Sequence, residues 1–202
     1  MFLASSFKDV ANLLIDFTGE DLKGKTVTFI PTASIPEKIK FYVGSGKKAL
    51  EKLGLTIDEL EISKATSTEI ADKLQQNDYI YISGGNTFFL LQELRRSKAD
   101  KQIIDQINSG KLYIGESAGS MIMSPDITYA TSMDDHTKAK DLHDHSALNM
   151  VEVYPLPHHT NFPFIKTVEK IISKYGTELA LCPISNSQVL LVEGEKAWVQ
   201  NT

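Results

Sequence analysis

Gly115-Glu116-Ser117-Ala118-Gly119 is the stretch of this chain best suited to covalent chemistry. Gly-x-Ser-x-Gly between a strand and a helix puts serine on a tight, strained turn, a nucleophile elbow, with its hydroxyl thrust out of the sheet. Small residues two positions either side let the chain pack through the bend. The following helix aims its first N–H groups at the serine, so the Ala118 N–H can stabilise an oxyanion formed in acyl transfer. The same letters also describe an ordinary glycine-rich turn with a capping serine. Their placement straight after apolar Leu112-Tyr113-Ile114 favours the nucleophile. A second oxyanion donor has to come from another loop, and Gly84-Gly85-Asn86 is the best candidate. Paired glycines let backbone approach a substrate, and Asn86 can cap the helix that starts at once.

A serine hydroxyl needs an adjacent base at neutral pH. Of the five histidines, only His158 and His159 directly follow an expected strand, in Leu156-Pro157-His158-His159-Thr160-Asn161, and one of the two is the expected base. Three residues compete to orient it. Asn186, in a late turn between strands, can hold an imidazole tautomer but stabilises an imidazolium less than a carboxylate does. Asp135 ranks beside it and Asp134 behind, both in a polar loop between the serine and the histidines. Cys182, the only cysteine, ends an apolar run and reads as a packed thiol rather than a nucleophile. A lone cysteine forms no intrachain disulfide and suits a reducing compartment.

The elements that must carry these groups are legible as apolar runs alternating with helical patterns. Strands are expected at 2–4, 26–30, 56–60, 78–82, 112–115, 151–154, 179–182, 189–192 and 197–199, the last two as a hairpin. Helices are expected at 10–17, 37–53, 68–74 with Ser67 as cap, 87–94, 99–107, 120–123 and 164–175. Such alternation predicts an α/β fold in three layers, a mostly parallel central sheet flanked by helices. Ligands of these sheets sit at the carboxyl ends of the strands. The Gly84 turn, the Ser117 turn and the His158 segment each follow a strand, so one rim can hold all three. Residues 132–149 are polar and read as a surface loop or lid.

Length and composition set outer bounds. A chain of 202 residues, 42% hydrophobic and 23% charged, fits one domain over 1–202. Net charge is −5 and there is no basic stripe, which argues against a nucleic-acid partner. No apolar run approaches the roughly 18–20 residues needed to cross a bilayer. The opening MFLASSFKDV lacks the layout of a signal peptide, so no membrane partner and a cytoplasmic location are expected.

Taken in order, Leu3-Ala4-Ser5-Ser6, Phe29-Ile30-Pro31-Thr32-Ala33, Ser83-Gly84-Gly85-Asn86-Thr87-Phe88, the Ser117 motif and Pro157-His158-His159-Thr160-Asn161 make the chain resemble the peptidase E family of serine peptidases. That family includes aspartyl dipeptidases and has cyanophycinases as relatives. The resemblance spans nearly the whole chain. It implies a fold similar to class I glutamine amidotransferase domains, Ser117 as nucleophile and His158 as base, with the Gly84-Gly85 turn and Ala118 as the oxyanion site. Two departures stand out. Members often carry a carboxylate in the late turn where this chain has Asn186. The aspartyl dipeptidases have a Thr-Asn-Asp stretch after the nucleophile helix, and here the nearest text, Ala130-Thr131-Ser132-Met133-Asp134-Asp135, is out of register. Cleavage after an N-terminal aspartate therefore does not carry over.

The expectation is a serine peptidase hydrolysing short peptides, dipeptidase-like, without a cofactor, as a monomer or homodimer. A metal-dependent reading draws on Asp134, Asp135, His136, Asp141, His143, Asp144 and His145, whose spacing matches no tight ligand signature. A third reading, motivated by Asn186, is a catalytically weak or inactive peptide- or ligand-binding member of the same fold.

Overall fold

β-Branched and aromatic runs build a seven-stranded sheet in the computed structural model, which describes residues 1–202. The first half supplies β1 (Phe2–Ala4), α1 (Phe7–Val10), α2 (Leu13–Thr18), β2 (Thr26–Ile30), α3 (Phe41–Lys52), β3 (Thr56–Glu59), α4 (Ser67–Gln76), β4 (Tyr79–Ile82), α5 (Thr87–Ser97) and α6 (Ala99–Asn108). The second supplies β5 (Leu112–Glu116), α7 (Ala118–Met121), β6 (Tyr154–Leu156), α8 (Ile165–Tyr175), β7 (Leu181–Pro183), β8 (Gln188–Glu193) and β9 (Lys196–Asn201). The sheet order is β3-β2-β4-β5-β1-β8-β9. Its first five strands are parallel, and β8 and β9 close one edge as an antiparallel hairpin.

Strand periodicity of two divides the apolar residues between two cores. Leu3, Ile30, Ile80 and Ile82 face a larger core under α4, α5, α6, α7 and α8. Phe2, Ala4, Val27, Phe29, Tyr79 and Tyr81 face a smaller one under α1, α2 and α3. The three layers expected from the alternation of elements are therefore present.

Local boundaries differ for identifiable reasons. α3 starts at Phe41, not 37, because Pro36 and the turns Ile35 N–H to Thr32 O and Glu37 N–H to Ser34 O occupy the preceding residues. Thr66, one residue before the expected cap, accepts the Glu69 N–H at 3.1 Å and starts α4. The expected helix at 10–17 is two short helices. The strands expected at 151–154 and 179–182 lie at Tyr154–Leu156 and Leu181–Pro183, and they pair with each other as a separate parallel ribbon. Pro155 and Pro183 sit in that ribbon; lacking an N–H, proline is tolerated in short edge strands and not in a central sheet. Residues 132–149 are fastened to α5 rather than hanging free: Arg95 donates to the Asp144 carboxylate at 2.9 Å and to the Ser146 carbonyl at 2.6 Å, while Ala139 and Leu148 are buried in the larger core.

The turn from β5 into α7 is the tightest place in the fold. A Cβ on Gly115 would lie 2.5 Å from the Gly119 carbonyl oxygen, and one on Gly119 would overlap the Ile82 carbonyl oxygen of β4. Both obstacles are backbone, which cannot swing aside. Gly119→Ala is expected to destabilise the protein by about 3 kcal/mol, read as a drop in the urea midpoint, since overpacking against fixed backbone strains the core. A midpoint unchanged from wild type would contradict this packing account.

Candidate active site

Ser117 joins β5 to α7 with φ 48° and ψ −105°. Positive φ is uncommon outside glycine and carries a strain of about 1–3 kcal/mol, held by the surrounding structure. The restraints are visible. The Ser117 N–H donates to the Ala4 carbonyl at 2.9 Å, and the Ser120 hydroxyl donates to the same carbonyl at 2.7 Å. The buried Tyr113 hydroxyl donates to the Gly119 carbonyl at 2.6 Å. Next to the serine, the buried Glu116 carboxylate accepts the Phe7 N–H at 2.9 Å and the Tyr81 hydroxyl at 2.8 Å. Burial raises its pKa above the usual carboxylate range, although these donors oppose the shift.

His158 arrives at the same rim from the ribbon. Its Nε2 is 3.0 Å from the Ser117 Oγ, and its Nδ1 is 3.0 Å from the Asn186 Oδ1. Its backbone is also in the left-handed region, at φ 64°. The ribbon sets the register between histidine and asparagine. The Ile184 N–H donates to Leu156 O at 2.9 Å, the His159 N–H donates to Ile184 O at 3.1 Å, and the Asn186 N–H donates to the Asn161 Oδ1 at 2.8 Å. The Phe164 ring stacks on the imidazole with centroids 4.6 Å apart and planes 20° apart. Burial lowers the His158 pKa, and the bond to Asn186 partly opposes that shift.

The two-glycine turn also reaches the site. A Cβ on Gly84 would lie 3.3 Å from the Ser117 Cβ, so the turn presses on Ser117. Gly85, at φ 141°, fits only as glycine, because a side chain would overlap the Ala33 carbonyl group. The Ala118 N–H begins α7, and the first N–H groups of a helix have no partner within it. Asn86 is engaged elsewhere. Its Oδ1 accepts the Phe89 N–H at 2.9 Å as the cap of α5, its Nδ2 donates to the Asp135 carbonyl at 3.0 Å, and its own N–H goes to Ala33 O. These bonds tie it to the turn and to the start of α5.

Asp135 and Asp134 are not on the histidine. The Asp135 carboxylate is exposed and caps the turn at His136–Lys138 by accepting the Thr137 N–H at 3.0 Å and its hydroxyl at 2.6 Å, bonds that hold its pKa low. Asp134 accepts the Thr87 N–H at 2.8 Å and its hydroxyl at 2.5 Å at the start of α5, and burial pushes its carboxyl up to about 6. Of the three candidates, only Asn186 touches His158. The His159 side chain is not part of this chain of contacts, and Cys182 is a half-buried thiol in β7 whose pKa burial raises. In the polar loop no three His, Asp or Glu side chains converge; His136 and His145 lie edge-on against Phe88. Sequence reasoning missed two neighbours of the imidazole, Ser5, whose Oγ is 3.1 Å from Nδ1, and Phe164, and with them Asn161, which holds the backbone of Asn186. Asn161 and Ser5 lay within motifs that carried the family resemblance, which was the only signal for them.

An imidazole poised on a strained serine, at the carboxyl rim of a mostly parallel sheet, places the chain among serine-type hydrolases of the α/β class. The model of peptidase family S51 matches residues 1–199, and the chain belongs to that family, as a serine-type peptidase. It is 54% identical to an uncharacterized peptidase of Listeria innocua, over 97% of this chain and 93% of the relative. It is 33% identical to peptidase E of Haemophilus influenzae, over 56% of this chain and 50% of that protein. The crystal structure of a protein from Listeria monocytogenes EGD-e, provisionally described as peptidase E, superposes with a TM-score of 0.95 at 51% identity, covering 100% of this chain and 97% of that one. The seven-stranded α/β architecture is thus shared with a peptidase E structure.

The geometry separates the candidates for the orienting residue. Asn186→Ala is expected to lower kcat for peptide hydrolysis by about tenfold or more, and Asp135→Ala to leave it within about twofold of wild type. Steady-state kinetics of the two variants decide between them; the reverse ranking would move the role back to the loop.

Proposed function

We propose that the protein hydrolyses short peptides through Ser117, with His158 as general base and Asn186 as its orienting partner. The observation that carries this reading is the unbroken line from Ser117 Oγ to His158 Nε2 and from His158 Nδ1 to Asn186 Oδ1, each step 3.0 Å. The amide oxygen of Asn186 only accepts, so it favours the tautomer with the proton on Nδ1 and leaves Nε2 free to take the serine proton.

In this mechanism, Ser117 Oγ attacks the scissile carbonyl carbon as its proton passes to His158 Nε2. The Ala118 N–H and an N–H of the Gly84-Gly85 turn hold the oxyanion of the tetrahedral intermediate. The imidazolium gives its proton to the leaving amine as the C–N bond breaks. Water, deprotonated by His158, then attacks the acyl ester and releases the carboxylate. During each imidazolium stage, the face of Phe164 offers the ring a weak cation–π contact.

Asn186 is also the observation favouring a second reading, a peptide-binding member with weak or no turnover, because a neutral amide stabilises imidazolium less than a carboxylate. Covalent labelling of Ser117 by a fluorophosphonate supports the live enzyme; a folded protein that is never labelled supports the binder. The single cysteine fits a cytoplasmic setting, and no helix is long and apolar enough to cross a membrane.

Hydrolysis of a dipeptide panel by wild type and Ser117→Ala tests chemistry and preference together. The variant is expected to lose turnover while its melting temperature stays near wild type; retained turnover would overturn the mechanism. The pH profile has a defined sign. The base must be neutral, and burial lowers its pKa, so kcat/KM is expected to rise with pH through a midpoint below about 6.5 and to be lost on acidification.

A further inference from the structure

Ser5 follows β1, is 1% exposed, and has a hydroxyl wholly committed to the base and its partner. It donates to the Asn186 Oδ1 at 2.7 Å, accepts the backbone N–H of His158 at 2.8 Å, and lies 3.1 Å from the His158 Nδ1. We propose that Ser5 is a positioning residue that fixes the proton of His158 on Nδ1 and forms, with Asn186, the acceptor pair that steadies the imidazolium. The inference rests on the Ser117–His158 reading above.

A hydroxyl has one proton and two lone pairs. The Ser5 proton is already directed at Asn186, so its oxygen meets Nδ1 as an acceptor. The Asn186 Oδ1 is an acceptor too. With two acceptors at Nδ1, the proton belongs there, and Nε2 is bare where it meets Ser117. Without the hydroxyl, the Asn186 amide can turn and present its NH2 to Nδ1. That arrangement favours the opposite tautomer, with a proton on Nε2, which cannot accept the serine proton. The imidazolium also loses one of its two acceptors. A carboxylate would achieve both effects by charge; here two neutral groups share the task.

The placement of Ser5 follows from strand register. β1 and β5 pair with Leu3 opposite Gly115 and Ala4 opposite Glu116, so Ser5 and Ser117 leave adjacent strands at the same level. The Glu116 carboxylate accepts the Phe7 N–H and pins the far side of the same turn.

The test is Ser5→Ala, with Ser5→Thr as the variant that keeps the hydroxyl. In Ser5→Ala, kcat is expected to fall about 10–100-fold with KM within about twofold of wild type, the size of one lost hydrogen bond to a charged group. The acid limb should move to lower pH, because a less stabilised imidazolium has a lower pKa. Nitrogen-15 chemical shifts of His158 above that midpoint should show more of the Nε2–H tautomer, and Ser5→Thr should return both readouts towards wild type. A folded Ser5→Ala protein, checked by its melting curve, with unchanged tautomer and unchanged pH midpoint overturns the proposal, even where kcat falls through general loosening. The tautomer is read in the resting protein, so it reports on Ser5 whether or not Ser117 is the nucleophile. Retained turnover in Ser117→Ala would count against the serine mechanism alone.

Discussion

The structure depends on holding one residue in a conformation it resists. The backbone at Ser117 lies where side-chain-bearing residues rarely go, and a single turn cannot enforce that. It is enforced from three strands. β1 contributes the Ala4 carbonyl, bonded by both Ser117 and Ser120; β4 contributes the Ile82 carbonyl against Gly119; β5 contributes the Tyr113 hydroxyl on the Gly119 carbonyl. The glycines at 115 and 119 are packing necessities at backbone-to-backbone contacts, and the serine projects because everything below it is full. Interiors packed to crystal-like density transmit such constraints rigidly.

The imidazole facing Ser117 comes from a different structural unit. β6 and β7 belong to a two-stranded ribbon with no pairing to the main sheet, and their register delivers His158 and Asn186 already facing each other. The main sheet delivers Ser117 and the two-glycine turn. The line of hydrogen bonds is complete only where these units meet, and Ser5, from the main-sheet side, is the polar contact that reaches both members of the ribbon pair. The long polar segment between them is held to α5 by Arg95, by the Asn86 amide and by the Asp134 carboxylate on Thr87, so it frames the turn without touching His158.

Much of this was readable in advance. The central strands are runs such as Thr26–Ile30 and Tyr79–Ile82, buried on both sides, and local propensity and tertiary demand agree there. Ser117, Ala118 and the two glycines were legible because a strand–turn–helix with small residues at fixed offsets is a local pattern. His158 stood out through its place after a strand and proline, although its choice over His159 needed the family resemblance. Harder cases depended on contacts distant in the sequence. Asn186 and Asp135 are equally plausible on paper, and only the pairing of Ile184 with Leu156 and His159 brings the former to the imidazole. Ser5 meets a histidine 153 positions away through strand order, which no spacing rule records. For Asn86 the sequence offers both a cap and a binding amide, which look alike on paper; its Oδ1 is the cap of α5.

The amide at position 186 also bears on how such a site can change over descent. Asparagine and aspartate are nearly identical in shape, and their codons differ by a single base, A for G in the first place. The Ser5 hydroxyl already points its proton at the one oxygen the two side chains share, and can serve a carboxylate as readily as an amide. Passage between a neutral and an anionic partner for the imidazole thus needs one transition mutation and no repacking around it. Selection can set the acidity of the imidazole in that single step, without touching the scaffold that took a whole sheet to build.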